Sequence, residues 1–297
     1  MCKVQLESIV DGFRALYAGW QGETSIATMR QDWEAFLSVP EVSAKVEAVN
    51  ADGVACRWVM GENSHRGRVI FYLHGGGYQI GSVASHHNVM ARLSTVSGHH
   101  VFAVEYRLAP EHRFPAALDD VFTAYQWLLE QGALPSNIAF CGDSAGGGLV
   151  VALLTLIRDQ ALPLPCAAVL MSPWVDMEAS GDSYRLNANH DPVTQKGMIL
   201  LMARAYMGKN ANFKNPFASP IYADLAGLPP MLIQVGQHEV LLDDARTLAN
   251  AVRSVGGQVS LSIWQEMIHT FQLFTGRLDE ADAAIAEASQ FLCAQLN

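Results

Sequence analysis

The segment Gly142-Asp143-Ser144-Ala145-Gly146 sets a serine between two glycines. It follows the apolar run IAFC and precedes the helical pattern GGLVVALLTLI, a strand–turn–helix setting that thrusts a serine hydroxyl out of a sheet. The glycines suit so tight a turn because a Cβ at either position would meet neighbouring backbone. A serine held this way is a candidate nucleophile. The N–H of Ala145, at the start of the following helix, would face an oxyanion growing on the attacked group. In a chain with 24 glycines the five-residue pattern alone says little, and its strand-to-helix position carries the reading.

A serine becomes nucleophilic beside a histidine whose tautomer a carboxylate fixes. His269, in EMIHTF, comes just after the last predicted strand VSLSIW and after any candidate acid. His238 precedes the candidate acid, and His86, His87, His99, His100, His112 and His190 lie in the wrong part of the chain for the order serine, acid, histidine. Glu239 stands just beyond the strand MLIQVG, with Asp243 and Asp244 as rivals. Charge does not separate them, since both residue types are ionised at neutral pH. Position does: Asp243 and Asp244 fall where a helix starts, a place that favours acids for electrostatic reasons alone. Glu239 is therefore the expected partner of His269.

His74-Gly75-Gly76-Gly77 follows the strand RVIFYL. Glycines there let backbone N–H groups approach a reacting oxygen, which makes Gly75, Gly76 and Gly77, with Ala145, the candidate oxyanion donors. The loop has neither the spacing nor the Lys-Ser/Thr ending of a phosphate-binding loop. His74 reads as a residue that organises this loop through backbone hydrogen bonds.

These groups need a sheet to carry them. Residues 1 to about 40 show helical spacing of Ile9, Phe13, Leu16, Tyr17 and Trp20, ended by Pro40. Strand-like runs follow at 54–60, 68–74, 101–107, 138–142, 167–171, 231–236 and 259–264, alternating with helical patterns at 115–131, 146–158, 242–255 and 279–295. That alternation predicts an α/β fold, a largely parallel sheet with helices on both faces. The stretch 176–219 breaks the rhythm and holds one helix near 195–207. The expected organisation is an N-terminal cap part at 1–45, a catalytic core at 46–175, a cap insertion at 176–219 and the rest of the core at 220–297.

Composition narrows the chemistry. Half the residues are hydrophobic and 16% charged, enough apolar material for a sheet buried on both faces. A net charge of −10 argues against nucleic-acid or anionic-membrane partners, which need clustered Lys and Arg. The five cysteines, Cys2, Cys56, Cys141, Cys166 and Cys293, are scattered and form no metal or redox pair, so they read as reduced, mostly buried thiols. The N-terminal residues lack the pattern of a secretion signal and no apolar run is long enough to span a membrane, so a cytoplasmic location is expected. No metal or organic cofactor is implied.

Four blocks, HGGGYQIGS (74–82), EYRLAPEHRFPAALDD (105–120), GDSAGG (142–147) and EMIHTF (266–271), occur in this order. Together they resemble the hormone-sensitive-lipase family, the bacterial group IV esterases, over nearly the whole chain. The resemblance implies an α/β-hydrolase fold: eight strands, mostly parallel with one antiparallel, and a small helical cap. It implies a serine carboxylesterase acting on small esters with short acyl chains through an acyl-enzyme, with Ser144, Glu239 and His269 as triad and Gly75–Gly77 and Ala145 as oxyanion donors. Arg107, Pro110, Pro115 and Asp120 match a stretch that braces the site in that family, and a homodimer through the edge strand 259–264 is also suggested. This chain departs from the family with Glu239-Val240-Leu241-Leu242-Asp243 in place of the common D-x-L-x-D, and with Glu266 where a glycine is usual. Glu266 either shifts the imidazole or points to solvent. An amide or formamide hydrolase would use the same triad. A non-catalytic small-molecule-binding protein on this scaffold typically lacks the histidine, which is present here. Phe13, Trp20, Met198, Met202 and Met207 either line an acyl pocket or are simply core.

Overall fold

The computed structural model describes residues 2–20, 22–38 and 42–296. Pro40 lies outside the described residues, as does the side chain of Cys2. Two helices open the chain, α1 (Cys2–Gly19) and α2 (Ile26–Leu37), the latter capped by Ser25, whose side chain accepts from the Thr28 N–H at 3.1 Å. Strands β1 (Ala44–Ala51) and β2 (Val54–Gly61) form a hairpin. Asp52 and Gly53 take positive φ at its tip, the backbone a two-residue hairpin demands of its Asp-Gly pair.

The chain then alternates: β3 (His65–Leu73), α3 (His87–Ser97), β4 (His99–Val104), α4 (Ala116–Glu130), β5 (Ile138–Asp143), α5 (Ala145–Asp159) and β6 (Ala167–Met171). After β6 come α6 (Ser183–Leu186) and α7 (Lys196–Met207), then β7 (Met231–Gly236), α8 (Leu242–Ser254), β8 (Val259–Trp264) and α9 (Asp279–Gln295). The eight strands lie in the order β1-β2-β4-β3-β5-β6-β7-β8. β2 runs antiparallel to both neighbours and all pairs from β4 to β8 are parallel. This is the mostly parallel eight-stranded sheet expected. Strands β4 to β7 are buried along their whole length, which is why they read as continuous apolar runs rather than alternating ones.

Two apolar layers cover the sheet. One contains α4, α5 and α8 around Phe71, Phe102, Phe140 and Trp174, and the other contains α3 and α9 with Tyr72, Val101, Val169 and Phe274. Phe13 of α1 joins this second layer, meeting Phe36 and Phe274 ring-on-edge at 4.9 and 5.6 Å. Helix α3 was not singled out in the sequence, because polar side chains interrupt its apolar spacing. Inside the fold those side chains find partners: Asn88 Nδ2 donates to the Thr275 carbonyl at 2.6 Å and Ser94 Oγ to that of His99 at 2.7 Å. Cys56 and Cys141 are buried, whereas Cys166 and Cys293 are only partly so, and all four are unpaired. Among the described residues no helix is long and apolar enough to cross a membrane.

Arg107 and Asp120 form the brace noted in the sequence. The guanidinium reaches a carboxylate oxygen at 2.7 Å, and the Arg107 N–H donates to the same carboxylate at 2.8 Å, fixing the loop after β4 to α4.

Candidate active site

All the chemistry-bearing loops leave the carboxyl ends of parallel strands, from β3 to the edge strand β8, where open α/β sheets form their ligand crevices. Ser144 sits between β5 and α5 with φ 51° and ψ −120°, a costly backbone for a residue with a Cβ. Its N–H donates to the Met171 carbonyl and its own carbonyl accepts from the Trp174 N–H, both at 2.9 Å, so β6 and the loop beyond it hold the turn. Gly146 is required by contact, since a Cβ there would run into the Leu73 and His74 carbonyls.

His269 bridges the other two groups. Its Nε2 lies 2.9 Å from Ser144 Oγ and its Nδ1 2.9 Å from Glu239 Oε2. Glu239 is fully buried, and its second oxygen accepts from Ser172 Oγ at 2.6 Å and the Gly236 N–H at 2.5 Å. Ser172 Oγ in turn accepts from the Thr270 N–H at 3.1 Å, which links the acid to the histidine loop. The rival acids are engaged elsewhere. Asp243 accepts from the Ser183 N–H at 2.8 Å and pairs with Arg246 at 3.3 Å, and Asp244 accepts from the N–H groups of Val175 and Asp176.

Burial disfavours an imidazolium at His269, but the hydrogen bond and charge of Glu239, aided by Asp191 and Asp143, outweigh it and hold the ring above its ordinary pKa. Glu266 is not among those causes. It is exposed, on left-handed backbone with φ 59°, so of the two expected outcomes the structure gives solvent.

Gly75 requires a correction. Its N–H donates to Asp143 Oδ1 at 3.0 Å and is not available to an oxyanion. Gly76 and Gly77 donate to no group among the described residues, and Ala145, as the first residue of α5, has no intrahelical acceptor for its N–H. Gly76 and Gly77 line the space around Ser144. Gly77 has φ 61°, and a side chain on it would strike the sulfur of Met202.

Asp143, the variable position of the serine motif, anchors the loop from below. Burial opposes its charge, but His86 at 3.2 Å, the Tyr72 hydroxyl at 2.8 Å and His74 outweigh that and keep its pKa below the usual range. His74 fulfils the organising role expected of it: its Nδ1 lies 2.8 Å from the Gly75 carbonyl and its ring stacks on Tyr106 at 4.3 Å.

The space before Ser144 is walled by Tyr17 and Trp33 from the N-terminal helices, Val193 and Thr194 from the segment between α6 and α7, and Met198 and Met202 from α7. Of the five apolar residues singled out beforehand, only Met198 and Met202 line it. Phe13 is core, and Trp20 and Met207 lie outside the lining. The room it leaves for water-sized molecules is ≈ 30 Å³. A larger cleft of ≈ 500 Å³ between α2 and α3, lined by residues such as Glu34, Arg57 and His87, contains none of the triad residues.

Sequence reasoning missed Ser172 and Asp191. Ser172 directly follows β6, so its place at the carboxyl end of a strand next to the elbow was the available signal. Asp191 lies in the irregular segment between α6 and α7, where periodicity gave none.

Residues 70–273 match the family model described as alpha/beta hydrolase fold. An acetyl-hydrolase of Streptomyces hygroscopicus is 43% identical over 226 residues, covering 76% of this chain and 75% of that protein. A solved esterase of the bacterial hormone-sensitive lipase family superposes with a TM-score of 0.96 at 40% identity, covering 99% of this chain and 98% of the other. EstE5, solved after soaking with p-nitrophenyl butyrate, gives a TM-score of 0.90 at 40% identity, covering 97% and 98%.

Proposed function

The chain belongs to the hormone-sensitive-lipase family of α/β-hydrolase esterases, and from that membership we propose that it cleaves short-acyl carboxylic esters with Ser144, His269 and Glu239 as its triad. The observation that carries the residue assignment is the single imidazole lying 2.9 Å from both the serine oxygen and the buried carboxylate.

In this reading Ser144 Oγ attacks the ester carbonyl carbon as His269 Nε2 takes its proton. Glu239 holds the Nδ1–H tautomer and offsets the charge of the imidazolium. The oxyanion accepts from the N–H groups of Gly76, Gly77 and Ala145, donors already oriented before the charge appears. His269 then returns the proton to the departing alkoxide oxygen, leaving an acyl-Ser144 ester. A water deprotonated by the same imidazole cleaves that ester and restores the serine.

The short-acyl preference is supported by the side chains of Trp33, Met198 and Met202, which wall the space before Ser144. It is also in keeping with the acetyl-hydrolase relative and with the butyrate ester soaked into EstE5. Hydrolysis of p-nitrophenyl esters from acetate to palmitate, with Ser144→Ala alongside, tests the reading. Turnover that fades with chain length and vanishes in the variant is expected. Absence of Ser144-dependent turnover on every chain would remove the mechanism, and a long-chain optimum would remove the substrate class.

A further inference from the structure

A second buried carboxylate is bonded to the loop that carries Glu239. Asp191, in the segment between α6 and α7, is 3% exposed. Its Oδ1 accepts from the N–H groups of Val193 at 2.9 Å and Thr194 at 3.1 Å, and its Oδ2 from the Val240 N–H at 2.9 Å. Val193 and Thr194 line the space before Ser144, and Val240 directly follows Glu239. One side chain thus ties the wall of the pocket to the loop carrying the acid. Helix α1 joins at the same point, since the Tyr17 hydroxyl donates to the Val193 carbonyl at 2.8 Å.

The charge of Asp191 matters as much as its hydrogen bonds. Burial pushes its pKa up to about 6; the charge of His269 and the Val240 N–H pull it down, and Glu239 pushes it further up. The titratable groups that feel its charge are His269 and Glu239, with the phenols of Tyr17 on α1 and Tyr184 on α6, each made harder to ionise by Asp191. His269 in turn feels Glu239, Asp191 and Asp143.

We propose that Asp191 is a positioning residue for ester hydrolysis: it clamps the 193–194 wall to the acid loop and adds a second buried negative charge beside that loop that stabilises the imidazolium of His269. The proposal rests on the reading of His269 as the base. Without the carboxylate the imidazolium loses a stabilising neighbour, so the ring gives up its proton at lower pH and is a weaker base once neutral.

The test is Asp191→Asn assayed on p-nitrophenyl acetate across the pH range in which histidine titrates. The acid limb of kcat/KM is expected to move toward lower pH by about half a unit or more, and the plateau to drop about tenfold. A variant that melts like the wild type and keeps the wild-type acid limb overturns the electrostatic role. If the variant does not fold, Asp191→Glu labelled with ¹⁵N-histidine supplies the answer. This variant keeps the charge, so the His269 imidazole is expected to titrate as in the wild type, and a drop of about half a unit or more overturns the proposal. A wild-type protein with no Ser144-dependent turnover would instead mark failure of the esterase reading, and the imidazole titration reads Asp191 independently of turnover.

Discussion

Replacing Glu239 by Gln tests whether the buried acid sets the tautomer of His269. The amide keeps the shape of the carboxylate but has one oxygen in place of two. Glu239 accepts from three groups: His269 Nδ1, Ser172 Oγ and the Gly236 N–H. If the amide oxygen turned toward His269, its NH₂ would face the Gly236 N–H at 2.5 Å, leaving a buried donor against a donor at a cost of about 1–3 kcal/mol. The favoured orientation keeps oxygen toward Gly236 and presents NH₂ to Nδ1. That forces the imidazole into the tautomer with its proton on Nε2, where it donates to Ser144 Oγ instead of accepting from it. The wrong tautomer, together with loss of the charge behind the imidazolium, is worth roughly 10⁴ in kcat, about 5.4 kcal/mol of barrier. KM should change little, because Glu239 is buried behind His269 and is not part of the pocket lining. Stopped-flow or steady-state hydrolysis of p-nitrophenyl acetate reads both constants, with Asp243→Asn as the companion expected to stay within a few-fold of wild type. A Glu239→Gln enzyme within tenfold of wild type, beside a collapsed Asp243→Asn, would refute the reasoning and move the acid to Asp243.

Two further outcomes follow from burial and contact. Asp244 is buried and its pKa is pushed up to about 8, mainly by burial, so the folded chain keeps a proton that the unfolded chain releases near the ordinary carboxylate value. Stability held at low pH is therefore lost as pH rises through about 8. Thermal melts should fall in Tm across this range for the wild type and stay flatter for Asp244→Asn, and parallel curves would contradict the shift. Met202 packs on Gly77 and helps close the space before Ser144, so Met202→Ala should raise the ratio of hexanoate to acetate kcat/KM about tenfold. An unchanged ratio would mean that Met202 is not the wall that limits chain length.

Local sequence carried the elements and most of the site. The serine turn was legible because its pattern is local: a strand, a left-handed serine between glycines, then a helix. The four core helices and strands β5 to β7 were legible for the same kind of reason, since full burial produces unbroken apolar runs and helix faces repeat. Helix α3 was not, because its buried polar residues break the apolar spacing, and one of them, Asn88, finds its partner, the Thr275 carbonyl, only through folding. Glu266 in place of a glycine looked ambiguous in sequence and became a matter of backbone conformation and exposure in three dimensions.

By itself, then, the sequence determined the fold class, the nucleophile's turn and which histidine and carboxylate fall at the right ends of the right strands. Only the tertiary structure decided how these groups pair. The parallel sheet brings His269 within hydrogen-bonding distance of a serine 125 residues away, and no periodicity encodes that distance. Folding also spends the Gly75 N–H on Asp143, inserts Ser172 between the acid and the histidine loop, and ties the irregular segment at Asp191 to the residue after Glu239. Each of these depends on a polar group meeting a partner far along the chain. Residue type and spacing announce the capacity to bond, and only packing selects the partner.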